Sequence, residues 1–227
     1  MIFSNDCWIK TSLGSCVSIC AQSEFPRLKN PILLLGGVHG DEPEGVHLAQ
    51  QCLAWLKSFD QSKLVDWVVI PCLNVDGFNL KQRVNANGID LNRNFPSKDW
   101  STEFQKDRYY PGKTPGSEIE VQALVKLIKD LNPRLIIHCH SWEPCIVYTG
   151  ERGRKDSERL AYSSGYLAKP DIGYATPGSL GQYACFDVGV PVICIEEQEC
   201  LTDFTPIWPR FESSMREIFT DRSMRCE

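Results

Sequence analysis

Pro31-Ile32-Leu33-Leu34-Leu35-Gly36-Gly37 runs through Val38-His39-Gly40-Asp41-Glu42 into Pro43-Glu44-Gly45-Val46, and this stretch decides the fold. A continuous apolar run of strand length, without polar alternation, is a strand covered on both faces. The glycine pair ends it. From Pro43 to Phe59, Val46, Ala49, Leu53 and Leu56 recur at helical spacing beside Trp55, and Pro43 suits a first helical turn. The alternation continues outward. Trp67 to Leu73 reads as a second strand, Asn74-Val75-Asp76-Gly77 as a turn, and Phe95 to Pro115, rich in Pro, Gly and aromatics, as a long functional loop. Ser117-Glu118-Ile119-Glu120 forms a predicted capping box ahead of the helical set Val121, Leu124, Val125, Ile128 and Leu131. Strands are predicted at Leu135 to His140, Cys145 to Thr149 and Val190 to Ile195, and helices at Ser157 to Ala168, Ser179 to Val188 and Pro206 to Thr220. The pattern predicts an α/β protein with a mixed sheet and helices on both faces. No repeat or linker marks a second domain, so residues 1–227 are expected to form one.

The 24 basic and 29 acidic residues give a formal net charge of −5. No long run of either sign offers a nucleic-acid or lipid footprint. The 11 cysteines fall largely in apolar segments, as Cys52, Cys72, Cys139, Cys185 and Cys194 do, and no CxxC pair occurs. They are expected to be buried reduced thiols rather than disulfides or thiolate zinc ligands. Met1 to Cys20 lacks the positive start and continuous apolar stretch of a secretory signal. Ile32 to Leu35 is far short of the ~18 apolar residues of a spanning helix. A cytoplasmic protein without membrane or nucleic-acid partners is expected, and no stripe in the sequence assigns an oligomeric state.

Four short runs carry chemistry. His39 and Glu42 lie just past a strand end, where open α/β sheets place their ligands. A histidine with an acid three residues on is common by chance, but the Gly36-Gly37 approach and the helix start make the pair candidates for two of the three protein ligands of a catalytic zinc. His138 and His140 are two apart on one strand and so share a face. His140, nearer the carboxyl end, is expected as the third ligand, with His138 one pleat deeper as a pocket residue. Glu196 ends the last apolar strand, a costly place for a charge without a partner or a function. If Ile193 and Ile195 face one side, Cys194 and Glu196 face the other and Glu197 points away, which makes Glu196 the candidate general base. In Gly88-Ile89-Asp90-Leu91-Asn92-Arg93-Asn94-Phe95-Pro96, Asn92 and Arg93 present an amide and a planar guanidinium fork suited to a carboxylate. Asp90 is placed to accept the free N–H of His39 or simply to cap its turn. Arg83 suits the developing oxyanion or a solvated surface.

These residues resemble the zinc carboxypeptidases of the carboxypeptidase A type, from about Ile32 to about Cys200. Within that family the chain looks most like the bacterial murein peptide amidases, which cleave the γ-D-glutamyl–meso-diaminopimelate bond. The closer likeness rests on Arg83 to Pro96, on Pro115-Gly116-Ser117-Glu118, and on Gly173-Tyr174-Ala175-Thr176-Pro177-Gly178-Ser179-Leu180-Gly181. It implies a phosphorylase/hydrolase-like three-layer α/β/α sandwich and one Zn2+ per chain held by His39, Glu42 and His140. It implies Glu196 as general base and acid, Asp90 orienting His39, Asn92 and Arg93 on the substrate carboxylate, and Arg83 on the oxyanion. Tyr174 stands beside the position of the digestive enzymes' mobile tyrosine and joins the substrate-binding candidates. No pro-segment is expected. The implied partner is a small peptide with a free carboxylate, hydrolysed by a metallocarboxypeptidase of peptidoglycan turnover. Two other readings are an N-acyl amino acid deacylase of the aspartoacylase or succinylglutamate desuccinylase type, and a muropeptide-binding module without catalysis.

Overall fold

Residues 1–221 are described by the computed structural model. The apolar run becomes strand β3 (Ile32–Gly36), after β1 (Phe3–Lys10) and β2 (Cys16–Ala21). Helix α1 (Pro43–Ser58), β4 (Trp67–Ile70), α2 (Val75–Leu80), α3 (Ile119–Leu131), β5 (Leu135–Trp142) and β6 (Cys145–Thr149) follow. The chain closes with α4 (Arg154–Ser164), β7 (Leu167–Lys169), β8 (Val192–Gln198) and α5 (Ile207–Thr220).

All the strands join one eight-stranded sheet in the order β1-β2-β4-β3-β5-β8-β6-β7. Its centre, β4-β3-β5-β8, is parallel, whereas β2 and β6 run antiparallel to their central neighbours. Alternation along each strand builds two cores. Ile32, Leu34, Ile137, Cys139, Ile193 and Ile195 pack under α1, α4 and α5, against Leu48, Leu56, Leu160 and Phe211. Leu33, Leu35, Ile136 and Val192 pack on the opposite face against Val121, Leu124 and Ile128 of α3 and against Tyr183. The mixed sheet thus lies between two helical layers. The helices gain their stability from these apolar faces rather than from local propensity.

Several expectations need correction. The Asn74-Val75-Asp76-Gly77 segment opens α2 rather than forming a bare turn, because the Asn74 side chain accepts from Gly77 N–H at 2.9 Å and caps the helix. The capping box does not form. The Ser117 hydroxyl is committed elsewhere, donating to Glu118 Oε1 at 2.7 Å and accepting from Asn94 Nδ2 at 3.1 Å, and α3 begins at Ile119 with Glu118 as its N-cap. The predicted Ser157 to Ala168 helix starts earlier, at Arg154, and stops before Gly165, whose φ of 75° is a left-handed terminus; Leu167 and Ala168 pass into β7. The Ser179 to Val188 helix is wound as a π-helix over Gln182–Val188. Finally, Cys7 and Cys16 are joined by a disulfide between β1 and β2, so the all-reduced reading fails for this pair. Cys52, Cys72, Cys139, Cys185 and Cys194 are free, as expected. No helix among the described residues is long and apolar enough to cross a membrane.

Candidate functional site

The carboxyl ends of β3, β5 and β8 converge on one cavity of about 270 Å³. His39 and Glu42 lie between β3 and α1. Gly45, in the first turn of α1, lets that helix seat against β5: a Cβ there would stand 2.2 Å from the Cys139 carbonyl oxygen. This approach brings three buried side chains together. His39 Nδ1 lies 2.8 Å from Glu42 Oε1 and 3.0 Å from His140 Nδ1, and Glu42 Oε2 lies 2.7 Å from His140 Nδ1. Two imidazole nitrogens and a carboxylate facing one point are a donor set that suits zinc. Burial opposes charge on Glu42, yet His39 and His140 outweigh it and hold its pKa well below the usual range.

Behind His39, its Nε2 lies 3.1 Å from Asp90 Oδ1, and the same oxygen accepts Asn92 N–H at 2.9 Å. Asp90 therefore both caps its turn and fixes the imidazole. Burial would raise the Asp90 pKa, but Arg83 and His39 reverse the effect and depress it strongly. Arg83 donates from Nε to Asp90 Oδ2 at 3.0 Å and from Nη1 to Glu42 Oε1 at 3.2 Å. It faces the cavity as expected, although two carboxylates already hold it.

Strand register sets the opposite wall. In the parallel β5–β8 ladder His138 pairs with Cys194 and His140 with Glu196, so all four share a face. Glu196 is buried, Cys194 Sγ donates to its Oε1 at 3.2 Å, and burial raises its pKa. Glu197 lies on the other face, bonded to Tyr166 and Arg210, as alternation predicts. His138 Nδ1 lies 3.0 Å from His140 Nε2. Burial first, and then His140, pushes the His138 pKa well down.

The Leu91–Arg93 turn forms the third wall. Leu180 N–H donates to Asn92 Oδ1 at 2.9 Å, which leaves the Asn92 amide nitrogen to donate. Arg93 Nη1 bonds its neighbour's carbonyl, Asn92 O, at 2.7 Å. The Gly178 carbonyl accepts Phe95 N–H at 2.9 Å; with φ at +72° and Arg93 O 2.1 Å from any added Cβ, Gly178 admits no side chain. The run from Gly173 to Gly181 is thus latched to the turn. It carries Tyr174, half exposed, whose ring lies edge-on to Trp142 at 5.9 Å.

All the expected residues therefore meet at one place, Asp90 just behind the cavity wall and the rest lining it. Sequence reading missed Tyr109. Arg83, Arg93 and Arg108 lie over its ring at 5.1, 5.7 and 5.7 Å, so one aromatic ring gathers three cations at the cavity. The only signal for it was the aromatic-rich loop, which gives no side-chain direction.

Comparison with known proteins agrees with this geometry. A family model described as zinc carboxypeptidase matches residues 16–176. Murein peptide amidase A of Escherichia coli is 35% identical over 175 residues, covering 72% of this chain and 69% of that protein. The corresponding protein of Vibrio campbellii is 30% identical over 185 residues, covering 76% and 71%. The crystal structure of a murein-tripeptide amidase from Escherichia coli O157 matches with a TM-score of 0.77 at 27% identity, over 96% of this chain and 92% of that one. Bovine thrombin-activatable fibrinolysis inhibitor, at 18% identity, shares the fold with a TM-score of 0.78 over 97% of this chain and 88% of that one.

Proposed function

Since the chain belongs to the zinc carboxypeptidase family, we propose that it hydrolyses the amide between γ-D-glutamate and meso-diaminopimelate in murein tripeptide, with one zinc ion held by His39, Glu42 and His140. The observation that carries this reading is the shared cavity, which Asn92 and Arg93 line together with His39, Glu42, His140 and Glu196. A carboxylate clamp at a fixed distance from the reacting carbonyl restricts cleavage to a terminal residue, and the likeness to murein peptide amidases supports the tripeptide.

Each side chain has a duty in this scheme. Zinc, when bound, acts as a Lewis acid on the scissile carbonyl and activates water. Asn92 and Arg93 bind the free carboxylate of the leaving residue through charge-assisted hydrogen bonds. Glu196 takes a proton from the attacking water at its carboxylate and returns it to the leaving amine; burial raises its pKa, which makes the carboxylate a better proton acceptor in the first step. Arg83 turns a guanidinium N–H toward the developing oxyanion while Asp90 keeps its Nε in place. Asp90 also holds the proton on His39 Nε2, leaving Nδ1 free to ligate. Tyr174 closes the outer wall over the substrate. Eight described cysteines are free thiols, which supports a cytoplasmic setting in spite of the Cys7–Cys16 link.

The test is to incubate the zinc-loaded protein with L-alanyl-γ-D-glutamyl-meso-diaminopimelate beside an ordinary C-terminal peptide and an N-acyl amino acid. Release of diaminopimelate should dominate. Faster turnover of the N-acyl amino acid makes the protein a deacylase, and turnover of none makes it a binding module.

A further inference from the structure

His138 is a buried histidine that the scheme above does not use. It sits one pleat below His140 on β5, 4% exposed, with the two rings perpendicular and their centroids 4.7 Å apart. Only one proton arrangement serves a metal on His140. The Nδ1 of that ring faces His39 and Glu42, so a lone pair is needed there and the ring proton must sit on Nε2. Nε2 points at His138 Nδ1, 3.0 Å away, which must accept. The proton of His138 is then on its own Nε2. That atom has no protein partner among the described residues, and His138 lines the cavity.

We propose that His138 has two separate duties: its Nδ1 positions His140 for the metal, and its Nε2–H determines specificity by donating to a hydrogen-bond acceptor at the far end of the leaving residue's side chain. The first duty mirrors the one Asp90 performs for His39, with a neutral acceptor in place of a carboxylate. The second rests on the reading of this cavity as the seat of the leaving residue, and it deepens that reading. The hydroxyls of Ser179, Thr149 and Thr176 also line the cavity, which suits a polar side-chain terminus. Diaminopimelate and lysine differ there by one carboxylate, so the donor reads the feature that separates them. A competing use of the residue is a second metal ion between His138, His140 and Cys194, whose ligand atoms lie within 4.8 Å of one another. Cys194 Sγ is instead engaged with Glu196 at 3.2 Å, which favours the hydrogen-bonded arrangement.

Two amide variants separate the duties, because an asparagine amide occupies the place of imidazole Nδ1 and a glutamine amide that of Nε2. Zinc affinity is read by chelator competition, and binding of free meso-diaminopimelate and L-lysine by calorimetry; neither readout needs turnover. Wild type should bind one zinc and prefer diaminopimelate by about tenfold or more, the worth of a hydrogen bond to a charged acceptor. His138→Asn should keep its zinc affinity within about threefold and lose the preference, since it retains only the acceptor beside His140. His138→Gln should keep the preference and lose roughly 10- to 100-fold in zinc affinity, the usual cost of removing a ligand's outer partner. Equal binding of the two amino acids to wild type, or parallel losses in both variants, overturns the proposal. So does a second zinc equivalent that disappears in Cys194→Ser. If the tripeptide resists cleavage while the variants separate as stated, the substrate assignment falls and the duties of His138 stand.

Discussion

Glu196 shows how a single position can be costly to the fold and useful to the chemistry. It is 7% exposed within β8, just after the apolar run from Val192 to Ile195, and burial raises its pKa, which strengthens it as a proton acceptor. Glu196→Gln should leave zinc content unchanged and slow turnover by about 10²- to 10⁴-fold; steady-state rates beside metal analysis check this, and near-normal turnover would move the base elsewhere. Glu197 is excluded as the replacement by its bonds to Tyr166 and Arg210 on the opposite face. Arg93 has a different signature. Arg93→Ala should lower kcat/KM on the order of 100-fold for substrates with a free carboxylate and far less for their amides. Comparable losses on both substrates would refute the clamp. At this scale the sequence was most readable where residue type and strand ends coincide, as at His39, Glu42, His140 and Glu196. It was silent at Tyr109, because an aromatic ring in an aperiodic loop carries no direction until the loop is folded.

The elements were legible in proportion to their burial. The run Ile32 to Leu35 feeds the cores on both faces of the sheet and the helical set from Leu48 to Leu56 packs into one of them, so their apolar patterns are strong and their bounds came out within a residue or two. The strands β1 and β2 drew no prediction, since their mixed burial leaves neither a clean alternation nor a continuous apolar run. The Ser117 to Glu120 box failed for another reason: the hydroxyl had a tertiary partner in Asn94, which local sequence cannot reveal. Contact between elements also has a direct test at Gly45, where α1 touches the β5 backbone. An added methyl would meet the Cys139 carbonyl at 2.2 Å, so Gly45→Ala must push the helix away and carry Glu42 with it. We expect a loss of about 1–3 kcal/mol in stability, typical of overpacking, together with weaker zinc binding, measured by denaturant melts and chelator competition. A variant of wild-type stability and metal affinity would show that this approach does not set the ligand spacing.

Across the whole molecule, three stretches far apart in sequence, His39 to Glu42, His140 and Glu196, become neighbours only once β3, β5 and β8 lie side by side. Metal that binds only this assembled state should stabilise all of it. By mass action, free zinc at 1,000 times its dissociation constant adds about 4 kcal/mol. Chelation should therefore lower the Tm of wild type and leave that of Glu42→Gln nearly unchanged; equal shifts in both would mean that the ion acts elsewhere. The parallel β5–β8 pairing of His140 with Glu196 has one more consequence. Their separation is set by the backbone ladder and not by the side chains packed around it. Descendants of this gene can accumulate many substitutions in the flanking strands without detuning the pair. A single-codon insertion or deletion between Val192 and Glu196 would instead exchange the strand's two faces, so the lineage should record exchange among apolar residues of similar size at Val192, Ile193 and Ile195, which are buried, and almost no change in length.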